Sequence, residues 1–291
     1  MNIAWVNGKW KPIASAFVSV EDRGFQFGDG VYELIRTYRG EPFHLQDHLT
    51  RLIGSAKQIE IFPTLTREQL THVILAGCKK NGHANLKIYI QITRGQAPRL
   101  HTYPKTGRPT WVMTFRNFVP LSQTIRTQGV AVLTIPDVRW GHCNIKSINL
   151  LANVMAREQA ARQGHFEALF IREGNVTEGA GSNVFAVFGG EIMTPAESPA
   201  VLSGITREVV LKLGKKLGFQ MTAGNISLSH LKQADEIFLT GTTIEVLPVV
   251  RLNKKTIGSG QPGPLTQALV EAFQRHLKVS IHPSSQRGAN A

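Results

Sequence analysis

The chain has 291 residues, 42% hydrophobic and 18% charged, with a formal net charge of +13 at pH 7. This balance excludes a disordered chain, and the length suits two domains of ordinary size. No apolar run approaches a membrane span and the N-terminal residues lack a basic-then-apolar leader, so a cytoplasmic protein is expected. Cys78 and Cys143 have neither CxxC form nor metal-ligand spacing, so free thiols and no metal are expected. The basic excess raises a nucleic-acid-binding protein as a non-enzyme alternative. The cations are dispersed, however, in doublets such as Lys79-Lys80, Lys215-Lys216 and Lys254-Lys255, with no zinc-finger or helix-turn-helix pattern. A basic surface would equally steer dianionic cofactors and dicarboxylate substrates.

In chain order, Trp5-Val6-Asn7-Gly8-Lys9-Trp10 predicts a hairpin, because Asn-Gly suits a type I′ turn. Residues 21–30 carry Gly24, Gly28 and Gly30, so the backbone there must turn sharply or approach something closely. A strand over 31–38 follows, then a helix on Leu45, Leu49, Leu52, Ala56 and Ile59, from which Arg51 projects. A second helix over 66–80 ends at Gly82, and strands over 85–93 and 110–115 flank a cationic loop containing Arg94, Arg99 and His101. Residues 120–128 read as a linker, which predicts a smaller N-terminal α+β domain over 1–120 and a larger domain over 121–283. The polar tail over 284–291 is expected to be disordered. The second domain reads as strands over 130–135, 167–171, 183–188, 236–240 and 246–252. Helices are predicted after Ser147, over 205–217 and over 264–277. The fold class is α+β, two strand-rich domains with outer helices.

The stretch over 130–164 organises this second half. Asn144-Ile145-Lys146-Ser147 precedes Leu150, Leu151, Val154 and Met155, which share one face of a helix. Ser147 is a plausible N-cap and Gly164 a plausible C′ residue. Lys146 is then expected just before a helix N-terminus, where the first-turn N–H groups favour a free amine over a cation. From this stretch alone, an ordinary solvated lysine is the commoner outcome.

The following residues change that balance. Thr177-Glu178-Gly179-Ala180-Gly181-Ser182-Asn183-Val184-Phe185, then Ile192-Met193-Thr194, then Leu202-Ser203-Gly204-Ile205-Thr206-Arg207, resemble the signature of the class IV aminotransferases. These are pyridoxal-phosphate enzymes of fold type IV. The resemblance implies that Lys146 is the amine that joins the cofactor and that Glu178 partners its ring nitrogen. It also implies that Arg51, Ser182, Ile205, Thr206 and Thr242 hold the cofactor, with the phosphate at the helix start after Gly204. Within the class, residues 21–33, 93–101 and 139–159 look most like the D-amino-acid aminotransferases. In that subfamily an Arg-x-His pair, reaching the site from the partner of a homodimer, binds the substrate α-carboxylate together with a tyrosine. Those roles fall on Arg99, His101 and Tyr32, with Leu34 and Thr243 as further substrate contacts. Ala180, Gly181 and Gly241 stand where such relatives often carry serines. The rivals on the same fold are a branched-chain L-amino-acid aminotransferase and aminodeoxychorismate lyase, and the Arg99-x-His101 pair argues against both.

Overall fold

The structure, a computed structural model, describes residues 2–281. The tail predicted over 284–291 lies outside the described residues. The chain divides into two compact units. One is Met1–Val119 with Ile145–Asn149, and the other is Pro120–Asn144 with the rest from Leu150.

The first unit is a six-stranded antiparallel sheet in the order β2-β1-β6-β5-β3-β4. Its strands are β1 (Ile3–Val6), β2 (Lys9–Pro12), β3 (Gly30–Tyr38), β4 (Glu41–Pro42), β5 (Leu86–Thr93) and β6 (Thr110–Asn117). The β1–β2 turn places Asn7 and Gly8 at φ 46° and 90°, as a type I′ turn requires. A short helix α1 (Arg23–Phe27) precedes β3, capped by Asp22 Oδ1, which accepts from the Gly24 amide at 2.8 Å. Helices α2 (Leu45–Gln58) and α3 (Arg67–Asn81) cover one sheet face. Leu49, Leu52, Ala56, Leu70 and Ile74 pack there on Val31, Ile35, Ile88, Ile90 and Phe115. Thr66 and Gln69 form a full capping box for α3, and Gly82 ends it at φ 80°.

The second unit contains α4 (Gln123–Gln128), β7 (Val130–Pro136), α5 (Leu151–Arg162), β8 (Glu167–Arg172) and β9 (Asn175–Gly179). It continues with β10 (Asn183–Phe188), β11 (Glu191–Thr194), α6 (Ile205–Lys216), β12 (Met221–Ala223) and α7 (Leu228–Leu231). Last come β13 (Glu236–Gly241), β14 (Glu245–Leu252), β15 (Lys255–Thr256) and α8 (Pro264–Ile281). Its sheet runs β12-β11-β10-β13-β14-β7-β8-β9, with β15 on β14. Three neighbouring pairs, β11–β12, β14–β7 and β7–β8, are parallel. The α+β class predicted from the sequence is the observed one.

Three local expectations are corrected. Residues 120–128 are not all linker: Ser122 Oγ accepts from the Ile125 amide at 3.3 Å and starts α4. Ser147 is not a helix cap, because its backbone pairs with Val31 as an isolated bridge and the Ile148 amide donates to Gly30 O at 3.0 Å. These residues are held extended along β3, so the helix starts only at Leu151, after an N-cap leucine whose side chain cannot accept a hydrogen bond. The apolar face of that helix also points outward. Leu151, Val154 and Met155 are 73%, 61% and 64% exposed, while Ala156 and Ala160 face the sheet.

Candidate active site

Lys146 rides on this extended segment of the first unit. Its carbonyl accepts from the Tyr32 amide at 2.9 Å and its amide donates to Ser55 Oγ at 3.2 Å, so β3 and α2 together fix its main chain. With the helix starting five residues later, a helix terminus is not what acts on its amine. The half-buried side chain places Nζ 3.3 Å from Tyr32 Oη and 4.3 Å from the centroid of that ring. Tyr32 stacks on Tyr89 with centroids 5.6 Å apart, and the Tyr89 hydroxyl donates to Gln91 Oε1 at 2.6 Å. Burial pushes the Tyr89 phenol up to about 12, so it stays a neutral donor. Leu34 lies two residues along β3 from Tyr32 and shares its face.

Arg51 projects from α2 onto Glu33 of β3. Its Nε and Nη2 donate to Glu33 Oε1 and Oε2 at 2.6 and 3.0 Å, a bidentate pair. His48, one turn earlier, places Nδ1 2.7 Å from Glu33 Oε2. Glu33 and His48 are 0% and 2% exposed. Burial alone would raise the carboxyl, but Arg51 and His48 outweigh it and hold Glu33 well below the usual carboxylate range. Burial also pushes the imidazole down, so His48 is neutral near pH 7 and donates its Nδ1 proton to the carboxylate. The guanidinium assigned to a phosphate is therefore set in place by a buried anion behind it. Sequence reasoning missed Glu33, His48, Ser55 and Tyr89. Only the alternation that puts Tyr89 opposite Leu34 on the same sheet face could have suggested one of them.

Arg99 and His101 lie exposed in the loop after β5. The Arg99 guanidinium sits 4.8 Å from the Phe27 ring centroid, and the His101 ring is 5.6 Å from the same ring. Arg99 forms no ion pair among the described residues.

The remaining predicted residues belong to the second unit. Glu178 lies in β9, 6% exposed. Its Oε1 accepts from Arg139 Nη1, and its Oε2 accepts from the Leu202 amide at 3.0 Å and Asn183 Nδ2 at 3.4 Å. Arg139 is itself held by Asp137 through two bonds of 2.9 Å, and Arg172 adds a 3.1 Å contact to Asp137. Burial disfavours the Arg139 cation, but Asp137 and Glu178 more than offset this and keep it charged. Sequence reasoning gave Arg139 no role, although Asp137-Val138-Arg139 stands in the central stretch.

The signature acquires a physical reading from these contacts. Asn183 Nδ2 donates to Leu202 O at 2.9 Å, and a Cβ at Gly204 would come within 2.0 Å of Asn183 Oδ1, so only glycine fits there. Arg207 is 2% exposed and bonds Glu208 and Pro195 O at 2.6 and 3.1 Å, which anchors the first turn of α6. That turn begins at Gly204 without any side-chain cap. The first-turn amides of Ile205 and Thr206, and the Thr206 hydroxyl, which has no hydrogen-bond partner among the described residues, are the donor set that a phosphate takes. Thr242 and Thr243 are half-buried in the turn between β13 and β14. Ser182 Oγ donates to Glu167 Oε2 at 3.2 Å, and burial keeps the Glu167 carboxyl raised against the pull of Arg157. At two of the positions lacking serine, Gly181 and Gly241, there is room for a side chain. A Cβ at Gly181 meets only Glu167 Oε2 at 3.8 Å, and at Gly241 the nearest atom is Ile244 Cγ1 at 3.4 Å.

The predicted residues thus fall into two sets. Tyr32, Leu34, Arg51, Arg99, His101 and Lys146 are in the first unit, and Glu178, Ser182, Ile205, Thr206, Thr242 and Thr243 are in the second. An uncapped helix start for a phosphate, a buried carboxylate kept beside a cation, and a lysine amine at a tyrosine hydroxyl are each features that fit pyridoxal 5′-phosphate.

Known proteins agree. The family described as amino-transferase class IV matches residues 30–252. A D-alanine aminotransferase of Bacillus licheniformis is 40% identical over 271 residues, covering 93% of this chain and 95% of that one. Among solved structures, the branched-chain amino acid aminotransferase of Escherichia coli superposes with a TM-score of 0.88 at 27% identity, covering 94% and 93% of the two chains. The branched-chain amino acid aminotransferase of T.th., solved with pyridoxamine 5′-phosphate, gives 0.87 at 28% identity, covering 94% of this chain and 93% of that one. This chain is an aminotransferase: it belongs to class IV and has the fold type IV architecture.

Proposed function

We propose that this chain uses pyridoxal 5′-phosphate to move amino groups between D-amino acids, such as D-alanine and D-glutamate, and 2-oxo acids such as 2-oxoglutarate. The observation that carries the reading is the cationic loop, in which Arg99 and His101 lie together on Phe27 with no counter-ion on Arg99 among the described residues. The 40% identity to a D-alanine aminotransferase over 93% of the chain supports it, exceeding the 27% to a branched-chain enzyme.

When bound, the cofactor supplies an electron sink for the pair left as the Cα–H bond breaks. Glu178, with Arg139 behind it, would receive the ring nitrogen. The amides of Ile205 and Thr206, the hydroxyls of Thr206 and Thr242 and the Arg51 guanidinium would take the phosphate, and Ser182 would line the ring. Lys146 would hold the cofactor until the substrate amine displaces it, and its freed Nζ, beside Tyr32 Oη, would then take the proton from Cα and pass it on to the cofactor. That proton must point at Lys146, so handedness depends on which side of the site takes the carboxylate. Arg99, His101 and Tyr32 are the donors for it, with Leu34 and Thr243 beside the side chain. A D-amino acid then presents its Cα–H to Lys146 and an L-amino acid does not.

The working form is a homodimer in which Arg99 and His101 complete the partner's site. The outward face of α5 and the 74% exposed Phe17 and Phe25 support this, since such apolar surface is commonly covered. A cytoplasmic location accords with the finding that no helix among the described residues is long and apolar enough to cross a membrane. The deciding assay offers purified enzyme D-alanine or L-alanine with 2-oxoglutarate and follows pyruvate. Turnover confined to D-alanine is expected, and a preference for L-amino acids, L-leucine included, overturns the assignment.

A further inference from the structure

The segment over 21–30 is stitched to the loop that carries Arg99 and His101. The Arg23 amide donates to Gly95 O at 2.9 Å, the Ala97 amide to Glu21 O at 3.2 Å, and the Arg94 amide to Asp29 O at 3.1 Å. Asp22 Oδ2 accepts from Thr93 Oγ1 at 3.0 Å, and a Cβ at Gly24 would come within 2.2 Å of Thr93 Cγ2. The glycine is therefore required by close approach.

Charge is distributed unevenly over three arginines here. Asp29 Oδ2 accepts from both Arg23 Nε and Arg94 Nε at 2.8 Å, and Oδ1 accepts from Arg94 Nη2 at 3.0 Å. Each bridged arginine then grips the loop. Arg23 Nη1 donates to Leu100 O at 2.6 Å, between Arg99 and His101, and its guanidinium lies 4.7 Å from the Phe27 centroid. Arg94 lies 3.5 Å from the Tyr103 ring centroid and donates to Ile59 O and Glu60 O at 2.6 and 3.1 Å. The Phe27 ring thus receives both Arg23 and Arg99, at 4.7 and 4.8 Å from its centroid. Among the described residues, Asp29 bridges two of the three cations, and the third is left without a carboxylate.

We propose that Asp29 is a positioning residue for substrate recognition. By holding Arg23 and Arg94 it fixes the residue 94–103 loop, so that Arg99 and His101 are presented ready for an α-carboxylate. This rests on the reading that Arg99 binds that carboxylate. It deepens that reading by making recognition depend on an aspartate that repels the substrate's charge. Charge and position therefore predict opposite outcomes for Asp29→Asn. Removing an anion strengthens carboxylate binding if only the local field counts. It weakens binding if Asp29 acts by holding the two arginines.

The experiment compares wild-type holoenzyme with Asp29→Asn, Phe27→Leu and Arg99→Ala, using D-alanine and D-glutamate. Asp29→Asn and Phe27→Leu should each raise KM roughly tenfold with kcat changed less than about threefold, the pattern of lost uniform binding. In the half-reaction, a primary amine lacking a carboxylate should react with all four proteins at similar rates. Tryptic cleavage after Arg99 should quicken in Asp29→Asn. Unchanged or lowered KM in Asp29→Asn, while Arg99→Ala raises it, overturns the positioning role and leaves Arg99 standing. Unchanged KM in Arg99→Ala overturns the carboxylate reading itself. If Asp29→Asn does not fold, Arg94→Lys, which gives up the Nη2 bond to Asp29 Oδ1, decides by the same split between KM and kcat.

Discussion

The two units each contain a buried pair of arginine and glutamate, arranged in opposite senses. In the second unit the glutamate, Glu178, is the proposed cofactor contact, and Arg139, fixed by Asp137, stands behind it. In the first unit the arginine, Arg51, is the proposed contact, and Glu33, with His48, stands behind it. Each supporting residue neutralises the contact residue and sets its direction, as burial of a charge demands. The contrast teaches that an ion pair's outer member cannot be told from its inner member by charge or burial. It is told by what else converges: an uncapped helix start beyond Glu178, and the Lys146 segment bonded to Ser55, one turn along α2 from Arg51.

The largest effect expected from breaking this arrangement is on chemistry in the second unit. Glu178→Ala should slow Cα proton abstraction by roughly 10²–10³, because one charge-stabilising partner typically contributes about 2–4 kcal/mol in the transition state. Single-turnover absorbance measurements with D-alanine check this, and an unchanged rate removes Glu178 from the role. In the first unit the supporting residue should instead affect stability. Glu33→Ala leaves Arg51 half-buried without its anion, which should cost about 3–5 kcal/mol in urea unfolding. A loss under about 1 kcal/mol would show that Arg51 does not depend on Glu33.

The pH dependence sharpens the same contrast. Glu33 is held below its unfolded value, so its ionised form stabilises the fold above about pH 4.3. That contribution fades as pH falls from there toward the lowered folded value. Glu33→Gln lacks it at every pH, so the gap in Tm between wild type and variant should narrow as pH falls from about 5 to about 3. A constant gap counts against the ion pair as its source.

How much of this was legible in the sequence follows from the range of each interaction. The signature over 178–207 was readable through its resemblance to the class IV aminotransferases, and contacts such as Asn183 to Leu202 and Glu178 to the Leu202 amide are what its residues make. The Glu33–His48 contact joins a strand to a helix fifteen residues on, and no spacing rule connects the two. The start of α5 was misread because Ser147 has the chemistry of a cap, while pairing with Val31, far away in the chain, holds it extended. The Asp29 bridge was hidden for the same reason. Its partners Arg23 and Arg94 are drawn together only by folding.

Smaller effects test the contact residues themselves. Arg51→Ala should weaken cofactor retention, read as faster loss of absorbance on dialysis, with a lesser effect on turnover at saturating cofactor. Equal retention would leave the phosphate to the second unit alone. Smallest of all, Gly241→Ser should change stability by no more than about 0.5 kcal/mol, since a Cβ there meets nothing closer than 3.4 Å. A larger loss in urea unfolding would show that the turn before Thr242 needs glycine.

The proposed chemistry requires that the cofactor join Lys146. Reducing the cofactor-replete enzyme with borohydride, digesting it and mapping the labelled peptide tests this most directly. The account predicts a pyridoxyl group on Lys146 and none in Lys146→Ala. Label on a different lysine, or an unlabelled wild-type enzyme, contradicts it.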